Sequence, residues 1–258
     1  MVLTTRSAAR ATCSALFVSA ARTASVTRSE ITRETLSGTI TAVGRESGIR
    51  AVTLVLHGGA ETGLAPVRPW SPAYLRMVPI ARAVATATAR YGVEVRLLRN
   101  RVRGWNSPQL HPVSDARHAL ERIHAERPGV PVFLVGHSMG GRVALRVADD
   151  PAVTSVCALA PWTPAGEPVE PVRGRDVVLA HGTLDRITEP AESFAYARRA
   201  QAVAARLLRF ELMSESHAML LRAPAWHRLV RRFVLDALGV TPLPEWDKVP
   251  EQRLRLPA

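Results

Sequence analysis

The sequence predicts an α/β protein, a mostly parallel sheet with helices on both faces. Three observations predict it. Short apolar runs alternate with helix-length segments from Gly38 to Leu238, the rhythm of strand–helix–strand units. Runs such as Ala51–Leu56 and Val132–Val135 are near-continuously apolar, as in strands buried on both faces. The segment Gly136-His-Ser-Met-Gly140 joins one such run to a helix-forming stretch, a strand-to-helix turn built around a serine. With 258 residues, 47% of them hydrophobic, one ordinary domain can bury a sizeable core.

The elements follow in order. Gly38–Val43 and Ala51–Leu56 read as strands. A loop over Glu61–Pro72, carrying Trp70, leads to a helix over Pro72–Tyr91, and Val93–Leu98 is the next strand. Ser114–Arg127 reads as a helix, with Ser114 as its cap and an apolar stripe of Ala116, Ala119, Leu120 and Ile123. Val132–Val135 is the strand before the serine turn. The helix beyond it runs through Val143–Val147 and ends at Asp149-Asp150 before Pro151. Val153–Ala160 is a strand whose Cys157 reads as a small buried hydrophobe. Four prolines in Pro161–Arg175 forbid a regular helix there, so no substantial cap is expected above the sheet, and the site should be open and shallow. Asp176–Ala180 and Arg206–Leu212 are strands, while Pro190–Ala202 and Pro224–Leu238 are helices. The tail Thr241–Ala258 holds four prolines and is expected to run along the surface. The expected organisation is a flexible extension over 1–30, the α/β domain over 31–240 and a proline-rich tail over 241–258.

The serine turn carries the chemistry. Forced into a tight strand-to-helix turn, Ser138 points its hydroxyl outward, and side chains at Gly136 and Gly140 would collide with the turn. The following helix aims backbone N–H groups at it. A serine hydroxyl is a weak nucleophile alone and needs a base and a group to orient that base. Asp185 lies just past the Asp176 strand, in His181-Gly-Thr-Leu-Asp185. His217 lies just past the Arg206 strand, in Ser216-His-Ala218. All three residues therefore fall at the carboxyl edge of a parallel sheet, where open sheets build their sites.

Four motifs in order (Leu56-His-Gly-Gly59, Gly136–Gly140, His181–Asp185 and Ser216-His-Ala218) resemble those of the serine hydrolases with the α/β-hydrolase fold, over roughly residues 35–240. The resemblance implies a catalytic Ser138, Asp185 and His217, acyl transfer to and from carboxylic esters, and no metal or organic cofactor. It also implies an oxyanion hole from the backbone N–H groups of Met139 and Gly59, with Ala60 the next choice after Gly59. Arg99-Asn-Arg-Val-Arg-Gly-Trp105 stands where many relatives carry Asp-x-Arg-Gly-His-Gly, so Trp105 replaces a histidine. Trp105 and Trp162 are expected to line the substrate pocket. An open site favours small to medium soluble esters. Acyl transfer to other acceptors, amide hydrolysis and perhydrolysis use the same three groups, and a catalytically silent binding protein on this fold is the other class.

The net charge of +12 arises almost wholly from arginine, with Lys248 the only lysine, a pattern typical of GC-rich coding. The arginines are scattered and lack the single basic block or interleaved aromatics of a nucleic-acid groove, so no nucleic-acid partner is expected. His57, His137 and His181 lack zinc-ligand spacing, and no metal is expected. Two cysteines, Cys13 and Cys157, fit a reducing compartment. Met1–Arg28 has no acidic residue and only a short, interrupted apolar core before Val18-Ser-Ala20. A cytoplasmic location is expected, with secretion through an N-terminal signal as the alternative. No stretch is long and apolar enough to span a bilayer. Oligomeric state is not legible in these residues.

Overall fold

The computed structural model describes residues 38–43 and 48–258. The readings made for the N-terminal extension and for Cys13 lie outside them. Eight strands form one sheet: β1 (Thr39–Val43), β2 (Ala51–Leu56), β3 (Val93–Arg99), β4 (Val132–His137), β5 (Val153–Leu159), β6 (Asp176–Gly182), β7 (Arg206–Leu212) and β8 (Leu256–Pro257). Their spatial order is β1-β3-β2-β4-β5-β6-β7-β8. Only β1 runs antiparallel to its neighbour. Among the described residues, five helices cover the sheet: α1 (Pro72–Thr88), α2 (His111–Glu126), α3 (Met139–Arg146), α4 (Pro190–Ala200) and α5 (Ala223–Ala237).

The near-continuous apolar runs supply a core on each face. Val55, Phe133, Cys157 and Phe210 point toward α1 and α5, where Met77, Ile80, Trp226 and Phe233 meet them. Leu54, Leu134, Val156 and Leu179 point the other way, against Leu120 and Ile123 of α2, Val143 of α3 and Tyr196 of α4. Successive strand residues feed opposite cores, so the central strands are largely apolar; exceptions such as Glu94 and Arg96 of β3 and Arg209 of β7 are held in ion pairs. Each such side chain contributes roughly 1.5–3 kcal/mol by leaving water.

Two boundaries differ from expectation. Helix α2 begins at His111, so Ser114 is internal rather than the cap; Leu110 takes the preceding position with φ 52°. Pro112, in the first turn, has its φ preset for a helix start and moves the boundary upstream. The C-terminal tail is not a surface run. Leu243, Trp246, Leu254 and Leu256 are buried, and β8 extends the sheet beside β7. Asp236 of α5 anchors the tail, accepting the Trp246 indole N–H at 3.0 Å and the Leu243 N–H at 2.8 Å. Four widely spaced apolar side chains among prolines show no period, yet each one finds the core. Among the described residues, the β5–β6 connection forms no helical cap, only a 3₁₀ turn at Glu170–Val172.

Candidate active site

Ser138 lies between the last residue of β4 and the first of α3, with φ 56° and ψ −121°. A positive φ is uncommon for a residue with a Cβ and persists only where the surroundings enforce it. Here the Ser138 N–H donates to Leu159 O at 2.9 Å, and the Ser138 carbonyl accepts from the N–H groups of Arg142 and Trp162, each at 3.2 Å. A Cβ on Gly136 would lie 2.1 Å from Gly140 O, and one on Gly140 would lie 2.4 Å from Leu56 O. Both contacts are with backbone, so any larger residue displaces the turn.

The chain brings three side chains from three strand ends together. His217 Nε2 lies 3.0 Å from Ser138 Oγ, and His217 Nδ1 lies 2.8 Å from Asp185 Oδ2. An ionised carboxylate only accepts, so Nδ1 carries the proton and Nε2 is free to accept from the serine. Ser138 is buried, at 8% exposure, so its hydroxyl is less open to solvent than the missing cap suggested. Burial alone would raise the Asp185 carboxyl. The hydrogen bonds from His181 and His217, and those from the Thr188 and Ile187 N–H groups at 3.0 and 2.8 Å, outweigh it and hold the acid well below the usual carboxylate range. Such a trio can pass a proton from hydroxyl to imidazole while the carboxylate stabilises the resulting cation.

Two backbone N–H groups flank the serine turn, Met139 by sequence and Gly59 through its neighbour Gly58, where an added Cβ would lie 3.3 Å from Ser138 Cβ. The Met139 N–H opens α3, and among the described residues neither it nor the Gly59 N–H has a protein acceptor. Ala60 is excluded as a donor, because its N–H is taken by Arg103 O at 2.9 Å. His57 fixes the peptide that carries the Gly59 N–H. Its Nδ1 donates to Gly58 O at 2.6 Å while its Nε2 accepts the Asn100 N–H at 3.1 Å. With the Gly58 carbonyl pulled one way, the N–H of the same trans peptide points the other way. Burial pushes His57 down to about 4, consistent with this neutral tautomer.

Residues 53–256 match the alpha/beta hydrolase family. The chain belongs to that family. No curated protein matches the sequence of this hydrolase. Its fold is shared with a serine hydrolase without lid from Xanthomonas campestris, at 19% identity and TM-score 0.56, over 79% of this chain and 90% of that one. It is also similar to an alpha-beta serine hydrolase homologue from Coxiella burnetii (16%, 0.57, over 75% and 89%). An esterase from Pyrococcus furiosus gives 14% and 0.58, over 78% and 92%.

Two of the five tryptophans of this hydrolase serve a purpose that the sequence did not suggest. Trp105 is only 3% exposed. It meets Trp162 edge-on at 5.9 Å, and both rings stack on Arg142, at 4.1 and 4.3 Å from its guanidinium carbon. Arg142 in turn pairs with buried Glu167 at 2.7 Å. The pair therefore clamps α3 from outside, and Trp105 has almost no surface left to offer a substrate. Trp70 of the preceding loop is 70% exposed.

Four further residues complete the centre. His181 Nε2 lies 3.1 Å from Asp185 Oδ2 and 3.0 Å from Thr188 O. The Thr188 hydroxyl lies 3.0 Å from the same Asp185 oxygen. His137 Nε2 donates to His217 O at 3.0 Å, and burial pushes this imidazole down to about 3. Fully buried Glu215 accepts the Arg222 N–H at 2.6 Å and the Trp226 indole N–H at 3.1 Å, fixing the turn that carries His217. The strand-end positions of His137 and His181 were the only sequence signal for any of them. Among the described residues no group of three or more His, Cys, Asp or Glu is placed to hold a metal, and no helix is long and apolar enough to cross a membrane.

Proposed function

We propose that this hydrolase cleaves carboxylic esters through a covalent acyl-enzyme on Ser138. The observation that carries the reading is the continuous contact Ser138 Oγ–His217 Nε2–Asp185 Oδ2, at 3.0 and 2.8 Å. His217 takes the Ser138 proton as Oγ attacks the ester carbonyl. The oxyanion that forms is stabilised by the Met139 and Gly59 N–H groups, and its collapse expels the alcohol, which takes the proton from His217. Water then enters, gives its proton to His217 and attacks the acyl carbon, and Ser138 leaves with the proton restored. Asp185 holds the imidazole in the required tautomer throughout. The esterase similar in fold agrees with this reading, as does the missing cap, which leaves room for small to medium esters.

The test is hydrolysis of p-nitrophenyl acetate by wild type and Ser138→Ala. The substitution is expected to lower kcat by about 10⁶, the scale for losing a triad nucleophile. Equal rates would eliminate the reading. Presenting hydroxylamine, hydrogen peroxide or an alcohol to the acyl-enzyme separates hydrolysis from acyl transfer.

A further inference from the structure

Away from the serine, behind the His137–His217 pair, lies a cleft of about 490 Å³ between α1, α5 and the turn that follows His217. Its walls are Leu75, Pro79 and Ile80 of α1, Met219 and Leu220 of the turn, and Trp226 of α5. Leu75 and Leu220 stay exposed at its mouth, at 47% and 63%. Met219 is two residues beyond His217, and Arg76 on the cleft wall acts electrostatically on His137, whose ring packs 4.8 Å from that of His217. The cleft thus adjoins the back of the catalytic histidine.

Arg76 is the anomaly. Its Nη1 is buried and has no hydrogen-bond partner among the described residues. Three more deeply buried arginines are paired: Arg96 with Glu94 at 2.7 Å, Arg142 with Glu167 at 2.7 Å, and Arg209 with Glu211 at 2.8 Å. None of the residues lining the cleft is acidic, and its other ionisable group, His227, is itself pressed by Arg231. Glu215, which holds the Trp226 ring of the cleft wall, is already occupied by the Arg222 and Trp226 N–H groups. Arg76 as a whole is only half-buried, and Nη1 is the one of its nitrogens that is enclosed without a partner. An apolar, acid-free slot with one guanidinium on its wall matches one chemistry, a hydrocarbon body ending in an anion.

We propose that this cleft binds a carboxylate-headed amphiphile, its chain between α1 and α5 and its carboxylate on Arg76. The binding stands apart from the ester reading; where that reading holds, the ligand class is the acid released by turnover or a substrate with an acidic end. The amphiphile also explains why the mouth is left apolar, since Leu75 and Leu220 cover the chain as it enters.

The experiment is calorimetric titration of the full chain with octanoate and with octanol, which share the chain but not the charge. Octanoate is expected to bind about tenfold or more tightly than octanol, a difference of about 1.4 kcal/mol. Arg76→Leu is expected to bring the two within about threefold, on the same free-energy scale. Arg76→Gln, which keeps a polar end, guards against a folding defect. Ala223→Trp, filling the mouth, is expected to abolish both, with an unchanged thermal midpoint reporting a folded protein. Equal affinity for the two ligands in wild type overturns the proposal, as does octanoate binding that survives both Arg76→Leu and Ala223→Trp. Neither result touches the Ser138 assay.

Discussion

Asp185 and Arg76 both act electrostatically on His137, which packs against His217, and they are treated in opposite ways. Asp185 accepts from His217, His181, Thr188 and two backbone N–H groups. Arg76 has a buried nitrogen that nothing among the described residues answers. One charge is complete without help and is built to stay fixed while its neighbour changes protonation. The other keeps one enclosed nitrogen with nothing to accept from it. The difference is between a charge that the protein completes and one left with a donor to spare.

The comparison breaks most visibly at Asp185. Asp185→Asn keeps the shape but asks an amide to accept where it must donate, which favours the wrong His217 tautomer. Turnover of p-nitrophenyl acetate is expected to fall about 10⁴-fold, the scale for such a substitution in a triad. A loss under tenfold would mean that the carboxylate only packs.

Glu167→Gln sharpens the contrast by making a second orphan. Arg142 and Arg146 both pair with this buried acid, and neutralising it strands Arg142 between Trp105 and Trp162. Breaking a buried pair on one side costs about 3–5 kcal/mol, readable as a lower urea midpoint. An unchanged midpoint would show that the two rings hold the guanidinium unaided.

Acid probes the buried neutral groups. His57 and His137 are lowered from the usual 6.5 to about 4 and about 3. The unfolded chain therefore binds protons below pH 6.5 that the folded protein refuses. Stability is full above pH 6.5 and falls as pH drops toward 4, and below that the Asp185 carboxylate adds to the loss. The expected drop is a few kcal/mol, on the order of one pKa unit per 1.4 kcal/mol, and His137→Asn should flatten it. A urea midpoint constant from pH 7.5 to 4.5 would contradict the burial argument.

Arg76→Leu should give the smallest effect. Removing an unanswered donor is expected to leave stability unchanged or raise it by up to about 1 kcal/mol. A loss of several kcal/mol would mean that Arg76 is already paired, and the contrast with Asp185 would vanish.

Much of this was legible in the sequence. The apolar runs announced β2 to β7, because burial on both faces leaves little polar alternation. Ser138, Asp185 and His217 were legible because each follows such a run, and parallel strands deliver their ends to one edge. The Trp105–Arg142–Trp162 clamp was not, because cation stacking leaves no period and its members are distant in the chain. Thr188 and Glu215 were hidden for a similar reason: a Thr or Glu in a loop is unremarkable until the fold turns it inward. The packing of Trp246 and Leu256 escaped because prolines dominate the local pattern while four scattered side chains decide the outcome.

The most direct measurement is intact-mass and peptide mapping of protein quenched during turnover of p-nitrophenyl acetate. One acetyl group on the peptide containing Ser138, absent from Ser138→Ala and accumulating further in Asp185→Asn if deacylation slows, is the expected result. Steady release of p-nitrophenol from a protein that never carries an acyl group at Ser138 would contradict the account.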